Sequence, residues 1–481
     1  MLKARCKIRT VRFVGANATL RKLTFSSAEN FGQLNRALSG QHVEKRQRMQ
    51  SDTNRDARKR RSASGTGGLT AQLHTCFAPV ALFFALMLCL VGCEPASPTT
   101  QEIAPGTPWP EITQQATGTQ VRMAMWDGDP LINAYMRDFV APRLHDAGVK
   151  LEFVGLRGPQ LVQRLQADQQ AGRSRGDLDL VWINGETFYQ LRRVDALLGP
   201  ITELIPNTQL LNLRDPFIFR DFQQPIEGYE CPWGSVQMTL IYDSGTVPRP
   251  PETVEELTDW IRSHPGRFTL DNSFTGMSFL KSLLIHFAGG GTALDGPFDE
   301  ARYQQAATQL WAWLRSIQPF LWREGRTFPE DVAQLHQLLN SGEVDFSMSL
   351  NDGEVDNKVL QGILPKSCRG YVPRFGSIRN SHYLGIPRNA PNPAGALVVI
   401  NFLISPEAQL EKSKPAVWGD GTVLATEQLP GDWPQRFSTI EGRERVPDRD
   451  ELQQRALAEP VPEIMIRLHE DFRRELIERD H

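Results

Sequence analysis

The order of predicted strands and helices between residues 120 and 183 constrains the fold of this chain more than any other feature. Residues 120–126, 150–154 and 178–183 are short runs rich in apolar residues, which is typical of β-strands. Apolar residues at helical spacing lie between them, at 132–140 and 158–170. Strands that alternate with helices in this way form a layer of parallel strands packed against helices. We therefore predict an α/β fold.

The rest of the chain predicts more strands and helices, and it is too long for one hydrophobic core. Beyond residue 92 the chain has 389 residues, whereas a single core rarely serves more than about 250–300 residues. The proline-rich residues 247–251 are stiff and extended, and we expect the chain to cross there from one lobe to another. Further strands are predicted at 236–242, 267–270, 344–350 and 376–386, and further helices at 252–260, 276–287, 299–316, 328–341 and 392–402.

The segment that ends at Cys93 is typical of a bacterial export signal. Basic residues 58–61 precede an uncharged, mostly apolar stretch at 76–90, and Leu90, Val91, Gly92 and Cys93 follow. These four residues resemble the lipobox of bacterial lipoproteins, in which the cysteine becomes the lipidated amino terminus. An uncleaved transmembrane anchor is the alternative, but the apolar stretch is short of the roughly 20 residues that a spanning helix needs. We predict lipidation at Cys93.

Charge separates this leader from the rest of the chain. Residues 1–92 hold 16 basic and 4 acidic residues, whereas residues 93–481 hold 37 basic and 52 acidic residues. An acidic exported part argues against a nucleic-acid partner. We interpret residues 1–57 as the result of a mis-assigned start codon, with Met49 as one internal candidate, and we treat residues 1–92 as a leader. Residues 93–118, rich in Pro, Thr, Ser and Gln after Cys93, predict a flexible tether.

Cysteine and histidine usage gives no sign of a metal site. Cys231 and Cys368 are the two cysteines beyond Cys93. In an oxidising periplasm they pair only if their Cα atoms come within about 7 Å, which the sequence leaves open. The nine histidines are scattered, without HxxxH or CxxC spacing. We expect neither a metal nor another cofactor.

Three segments resemble family 1 of the extracellular solute-binding proteins of bacterial ABC importers. They are residues 177–188, 233–243 and 386–408, and the resemblance extends over about residues 120–425. The run Asp-Leu-Val-Trp-Ile-Asn-Gly-Glu, from Asp179 to Glu186, is most similar to the YnjB-like branch. That branch neighbours the thiamine, polyamine and ferric-iron binders.

The resemblance implies a periplasmic binding protein of type II, in which two α/β lobes are joined by a hinge and a ligand cleft lies between them. We expect residues 119–246 to form the first part of lobe 1 and residues 247–384 to form lobe 2. Residues 385–481 then return to lobe 1 and add C-terminal helices. The implied partners are a small-molecule solute, an ABC permease in the inner membrane, and the membrane itself through a lipid on Cys93. We expect a periplasmic monomer without enzyme activity.

Ligands of open α/β sheets bind beyond the carboxyl ends of the strands, and this rule selects candidate residues in both lobes. The candidates combine carboxylates with tryptophan faces, which attract cations. They predict a polar or cationic solute, such as a thiamine-like compound or a polyamine. Sugars remain open because aromatic rings also stack on them, whereas ferric iron fits less well because the chain has no adjacent pair of tyrosines. The candidates are Trp126, Asp127, Asp129, Asn184, Glu186, Trp233, Ser273, Thr275, Asn351 and Asp352.

Each candidate also has a purely structural explanation. Large aromatic residues dominate protein cores, which would account for the tryptophans. Aspartate, serine and threonine are ordinary helix caps. Glu186 fits a surface charge near a helix start, and Asp352 fits a solvated loop charge. The argument for a ligand site therefore depends on the recurrence of carboxylates and tryptophans at the same edge of both lobes.

A lipoprotein hydrolase and a ligand-presenting sensory lipoprotein are two alternatives to a binding protein that serves a transporter. A lipoprotein hydrolase would need paired carboxylates or an activated nucleophile. Asp177 and Asp179 alternate on one strand face, but there is no GxSxG motif, and the glycines at 289–291 lack the Lys-Ser/Thr of a P-loop. A lipoprotein that presents its ligand to a sensor, without a transporter, is the other alternative. The missing catalytic motifs favour a binding protein.

Overall fold

In the computed structural model, which describes residues 103–478, the first three strands are parallel, as predicted. They are β1 (Gln120–Met125), β2 (Lys150–Gly155) and β3 (Leu180–Ile183). Strand β1 pairs with both others, so that Met123 lies opposite Phe153 on one side and Leu180 on the other. The carboxyl ends of these strands therefore meet at one edge of the sheet.

Later segments of the chain complete this first sheet. After β4 (Leu197–Leu198) and the short hairpin of β5 (Arg220–Asp221) and β6 (Gln224–Pro225), the chain enters β7 (Glu230–Gln237). A smaller second sheet is antiparallel, with β8 (Thr239–Asp243) between β9 (Phe346–Ser349) and β10 (Cys368–Tyr371). The long β11 (Ser377–Pro387) then pairs antiparallel with β3, β4 and β7, and β12 (Ala456–Ala458) runs parallel to its start.

The helices begin at capped positions that are visible in the sequence. Asp299 and Asp331 each accept a hydrogen bond from the N–H group three residues later, and Thr253 does the same. The helices of the first lobe are α1 (Trp109–Ala116), α2 (Pro130–Ala134), α3 (Ala141–Asp146), α4 (Gly158–Gln170) and α5 (Glu186–Arg193). Those that follow are α6 (Val254–Ser263), α7 (Phe274–Phe287), α8 (Glu300–Ile317), α9 (Val332–Asn340), α10 (Glu354–Leu360), α11 (Pro393–Leu403), α12 (Pro406–Ser413), α13 (Trp433–Ser438), α14 (Arg449–Gln453) and α15 (Pro462–Phe472).

Two groups of buried side chains show that the chain folds into two α/β lobes. The first lobe packs α1, α2, α11 and β1 to β3 around residues such as Val121 and Ile400. The second lobe packs α6 to α9 against the second sheet, around residues such as Ile241 and Leu283. The lobes are connected by β11 and by the passage from β7 to β8, which a single residue, Met238, separates.

The structure corrects three details of the sequence prediction. Strand β8 already packs in the second core, so the first crossing lies near Met238 and precedes the proline-rich residues 247–251. Residues 109–116 of the expected tether are helical, and Ile112 and Ala116 are buried in the first core. Residues 267–270 form no strand. The carbonyl oxygens of Arg267 and Phe268 accept hydrogen bonds from the N–H groups of Asp345 and Trp322, outside any sheet. Beyond these three details, the last part of the chain does not stay in the first lobe, because Val446, Leu452 and helix α15 pack in the second core.

Within residues 103–478, no single helix combines the length and apolar character needed to cross a membrane. Only α11 and α12 together reach that length and composition, and a bend of 58° separates them.

Candidate functional site

Most of the predicted site residues lie on loops that follow strands or at the starts of helices. Trp126, Asp127 and Asp129 follow β1, and Asn184 and Glu186 follow β3. In the second lobe, Ser273 and Thr275 flank the start of α7, and Asn351 and Asp352 follow β9. Trp233 lies within β7. We call the space between these loops the interlobe cleft.

The loop after β1 leaves one aromatic ring and one carboxylate exposed. Trp126 is 40% exposed, and its ring covers Gly128 so closely that a Cβ atom there would collide with it. The Asp127 side chain is exposed, while its carbonyl oxygen accepts a hydrogen bond of 2.8 Å from Asn133. An exposed indole beside an exposed carboxylate is a combination suited to a cationic ligand.

Asp129 caps a helix, which is one of the two roles that the sequence offered, and it also forms an ion pair that the sequence did not suggest. Its Oδ1 accepts hydrogen bonds from the N–H groups of Leu131 (2.7 Å) and Ile132 (3.1 Å), which caps helix α2. Its Oδ2 forms an ion pair with the Nζ atom of Lys358, which belongs to α10 in the second lobe. The two lobes therefore touch through this pair of charges.

The loop after β3 is held by a buried acid. The backbone of Gly185 has a φ of 58°, which favours glycine, and its N–H group donates to Asp221 at 2.6 Å. Burial raises the pKa of Asp221 well above its usual range. Burial also raises the pKa of Glu186, the first residue of α5, although the positive charge of Lys281 opposes the shift.

The start of α7 is occupied by its own aspartate. Asp271 accepts the backbone N–H group of Ser273 at 2.9 Å and also its hydroxyl group. Both the backbone N–H group and the hydroxyl group of Ser273 are therefore already bonded within the protein. Thr275 is buried, and the neighbouring Phe274 ring lies 6.5 Å from the ring of Phe222, which lies between β5 and β6 and packs into the second core. The turn between β5 and β6 thus meets the start of α7 on this side of the cleft.

A buried lysine lies beneath these aromatic rings. Lys281 is fully buried, and its Nζ forms an ion pair with Glu459. The same Nζ lies 4.6 Å from the centroid of Phe222 and 5.0 Å from that of Phe274. A carboxylate and two aromatic faces together stabilise a buried ammonium group.

Asp352 is engaged by arginines, which corrects its assignment as a ligand contact. Its Oδ2 lies 2.7 Å from Arg443 and 3.0 Å from Arg449. Although burial favours the neutral form, these two guanidinium groups keep the pKa of Asp352 below its usual range. Asn351 accepts the Gly353 N–H group at 2.9 Å and so shapes the loop.

Trp233 is a core residue, which corrects the second of the ligand assignments. Its side chain is fully buried, and its ring packs edge-on against Trp182 and Trp418 at centroid distances of 5.2 and 5.4 Å. His382 lies 5.3 Å away and completes the cluster. The structural explanation, a large aromatic residue in a core, accounts for Trp233 fully.

The sequence analysis missed the lysines of the cleft. Lys281 lies within the predicted helix at 276–287, whose apolar pattern suggested only packing. Lys358 lies in α10, a helix that was not predicted. The spacing from Glu354 to Lys358 was a usable signal, because residues four apart share one helix face. Nothing local in the sequence marks Lys281, since its partner Glu459 is 178 positions away.

Two further features of residues 103–478 concern ligands. No group of three or more His, Cys, Asp or Glu side chains in this range is arranged to hold a metal ion. A cavity of about 380 Å³ lies where the lobes meet beside Gly353 and Gly419, lined by Arg443, Arg449, Ser413 and Phe437 among others.

Cys231 and Cys368 do not form the disulfide that was left open. Both thiols are free and buried. Cys231 belongs to the first core and Cys368 to the second.

Comparison with known proteins agrees with this architecture. A family model described as bacterial extracellular solute-binding protein matches residues 134–437. Protein YnjB of Escherichia coli K12 is 38% identical over 328 residues, which are 67% of this chain and 84% of that protein.

Solved structures share the fold at low sequence identity. The Atu4243-GABA receptor matches with a TM-score of 0.54 at 16% identity, covering 75% of this chain and 99% of that chain. The periplasmic binding protein AfuA from Actinobacillus pleuropneumoniae, solved with fructose-6-phosphate, matches with a TM-score of 0.53 at 11% identity over 75% and 99% of the two chains. The family match and the two-lobed fold lead to one conclusion: this chain belongs to the bacterial extracellular solute-binding proteins of ABC transporters.

Proposed function

We propose that this protein captures a small cationic or polar solute between its two lobes and delivers it to an ABC permease. The observation that carries the proposal is the combination of Trp126, Asp127 and Glu186 at the interlobe cleft. These residues remain available after the corrections for Trp233 and Asp352. They offer two carboxylates and an exposed aromatic face, which together favour a positively charged group.

Lobe closure is the proposed mechanism of capture. A ligand that touches both lobes binds the closed form more tightly and shifts the open–closed equilibrium towards it. In this proposal the loops at the start of α7 and after β9 supply the contacts of the second lobe with the solute. The protein performs no chemistry on its solute in this proposal.

The test is thermal unfolding of residues 96–481, the unit that contains both hydrophobic cores. Thiamine, spermidine, sucrose and ferric ion are added one at a time. A ligand at 100 times its dissociation constant should stabilise the fold by about 2.7 kcal/mol. A rise of the midpoint with thiamine or spermidine supports the proposal. A shift with sucrose alone contradicts its cationic part, and a shift with ferric ion alone would indicate a metal ion in place of an organic solute.

Variants then locate the site. Trp126→Ala and Glu186→Gln should each weaken binding of the active compound at least tenfold while leaving the midpoint of the free protein nearly unchanged. Glu203→Gln, an exposed carboxylate on the first lobe, is the matched control. Unchanged affinity in both cleft variants would place the ligand elsewhere.

Membrane attachment through Cys93 is the second part of the proposal. Cys93 lies outside the described residues, and the support is its lipobox-like sequence. Cys93→Ser should release the protein from the membrane fraction, and mass spectrometry should show no lipid on its amino terminus. A lipid still present on this variant would refute the assignment.

A further inference from the structure

Lys358 occupies the position in the cleft at which the charges of the two lobes meet. Its side chain is 7% exposed, and its Nζ forms the ion pair with Asp129 of the first lobe. The same Nζ lies 3.7 Å from Glu354, one helical turn earlier in α10. One ammonium group is thus shared by two carboxylates from opposite lobes.

In the second lobe, neighbouring side chains hold the Glu354 carboxylate in place beside Lys358. Glu354 accepts the Ser349 hydroxyl group, and its Oε1 lies 3.6 Å from the Nε2 atom of His336. His336 is buried and bonded through Nδ1 to Ser347 at 2.7 Å. Lys358 therefore has a fixed partner within its own lobe, whether or not Asp129 is near.

The first-lobe side depends on the lobes being in contact. Asp129 is anchored by its cap of α2 in the first lobe, whereas α10 packs in the second core through Val355 and Val359. Asn357, beside Lys358, also reaches the first lobe and donates to the Pro415 carbonyl oxygen at 2.8 Å. Separation of the lobes breaks both contacts and leaves Asp129 free for another cation.

We propose that Lys358 is a specificity-determining residue, a tethered cation that a positively charged solute displaces from Asp129. This inference rests on the proposed capture of a solute in the same cleft. A cationic group of the solute takes the place of the lysine ammonium beside Asp129, while Lys358 keeps Glu354. The tethered charge lowers the affinity for weakly binding cations, and it holds the lobes together in the absence of solute.

The first experiment uses no ligand, so its result is independent of the proposed function. Spin labels at Asp146→Cys and Arg326→Cys, exposed positions in the first and second lobe, report the distance between the lobes. Lys358→Met should lengthen and broaden this distance. Lys366→Met, an exposed lysine of the same lobe, should not. An unchanged distance in Lys358→Met would overturn the inference.

A second variant separates loss of charge from loss of folding. Asp129→Asn keeps the side-chain oxygen that caps α2 but removes the charge. It should lengthen the distance as Lys358→Met does, and the double variant should add little to either single change because both remove one ion pair. Fully additive effects would show that the two residues act separately and would overturn the inference.

Binding supplies the specificity test. In Lys358→Met, the ratio of affinities for spermidine or thiamine over sucrose should rise about tenfold, because Asp129 no longer carries a competing cation. An equal change for charged and neutral probes would overturn the role in specificity. If no probe binds the wild-type protein, the proposed function fails for these solutes, while the distance measurement still decides whether Lys358 holds the lobes together.

Discussion

At the scale of single residues, tryptophan illustrates how far a sequence can identify a binding site. Trp126, directly after β1, and Trp233, inside β7, were both predicted to contact the ligand. The structure exposes Trp126 by 40% and buries Trp233 completely. The difference arises from Trp182 and Trp418, whose contacts with Trp233 join distant parts of the chain and leave no local signal.

The two tryptophans should therefore differ in their effect on stability. Trp233→Ala removes a fully buried ring and should lower the free energy of unfolding by about 3–5 kcal/mol. Trp126→Ala removes a partly exposed ring and should lower it by less, about 1 kcal/mol. Urea unfolding of the two variants measures both values. Similar losses in the two variants would show that Trp126 also belongs to a core.

Glu354 should make the free energy of unfolding depend on pH. Burial opposes its charge, but the hydrogen bond and charge of His336, together with Lys358, lower its pKa to about 2. Because the pKa is lower in the folded protein than the ordinary value of about 4.3, the carboxylate stabilises the fold above that value. This stabilisation is lost as the pH falls towards 2.

The measurement for Glu354 compares urea unfolding of wild type and Glu354→Gln from pH 6 to pH 3. The difference in unfolding free energy should be largest near pH 6 and should shrink as the pH falls. Glu203→Gln, an exposed glutamate of the first lobe, controls for the general effect of losing a carboxylate. A difference that stays constant over this range would contradict the assigned role of Glu354.

At the scale of secondary-structure elements, the sequence predicted most of the fold because the signals were local. Helix α4 matches the predicted residues 158–170, and β1, β2 and β11 agree within one residue at each end. The strand predicted at 267–270 was wrong because an apolar run predicts that a segment is buried but does not predict a neighbouring strand to pair with it. Helix α1 was missed because Pro, Thr and Gln suggested a tether, although Trp109, Ile112 and Ala116 follow helical spacing.

The cysteines on β7 and β10 give a prediction at this scale. Cys231 and Cys368 are buried in different cores as free thiols, and burial raises the pKa of Cys368 to about 12. Residues 96–481 purified without reductant should show two thiols reactive with Ellman's reagent in guanidinium chloride and almost none when folded. Finding no reactive thiol after unfolding would indicate the disulfide instead.

At the scale of the whole molecule, the lobes meet at charged and at backbone contacts. Asp129 and Lys358 form the charged contact, while Gly353 and Gly419 bring backbone of the two lobes together. A sequence cannot predict such contacts, because they join residues that are far apart in the chain and depend on how the lobes are placed. The positions of Trp126 and Glu186 were predictable because both residues follow strands of one sheet.

The glycine contact leads to a prediction about closure. A Cβ atom at Gly353 would lie well inside the van der Waals distance of the Gly419 carbonyl oxygen, and its backbone φ of −86° suits alanine. Gly353→Ala should therefore fold normally but keep the lobes apart, which increases the radius of gyration in X-ray scattering and weakens solute binding. Gly370→Ala, where a Cβ atom would meet its neighbours at 3.4 Å, is the control within the second lobe. If Gly353→Ala keeps the wild-type scattering profile, the lobes close without this contact, and the ion pair of Asp129 and Lys358 is the better candidate for what holds them together.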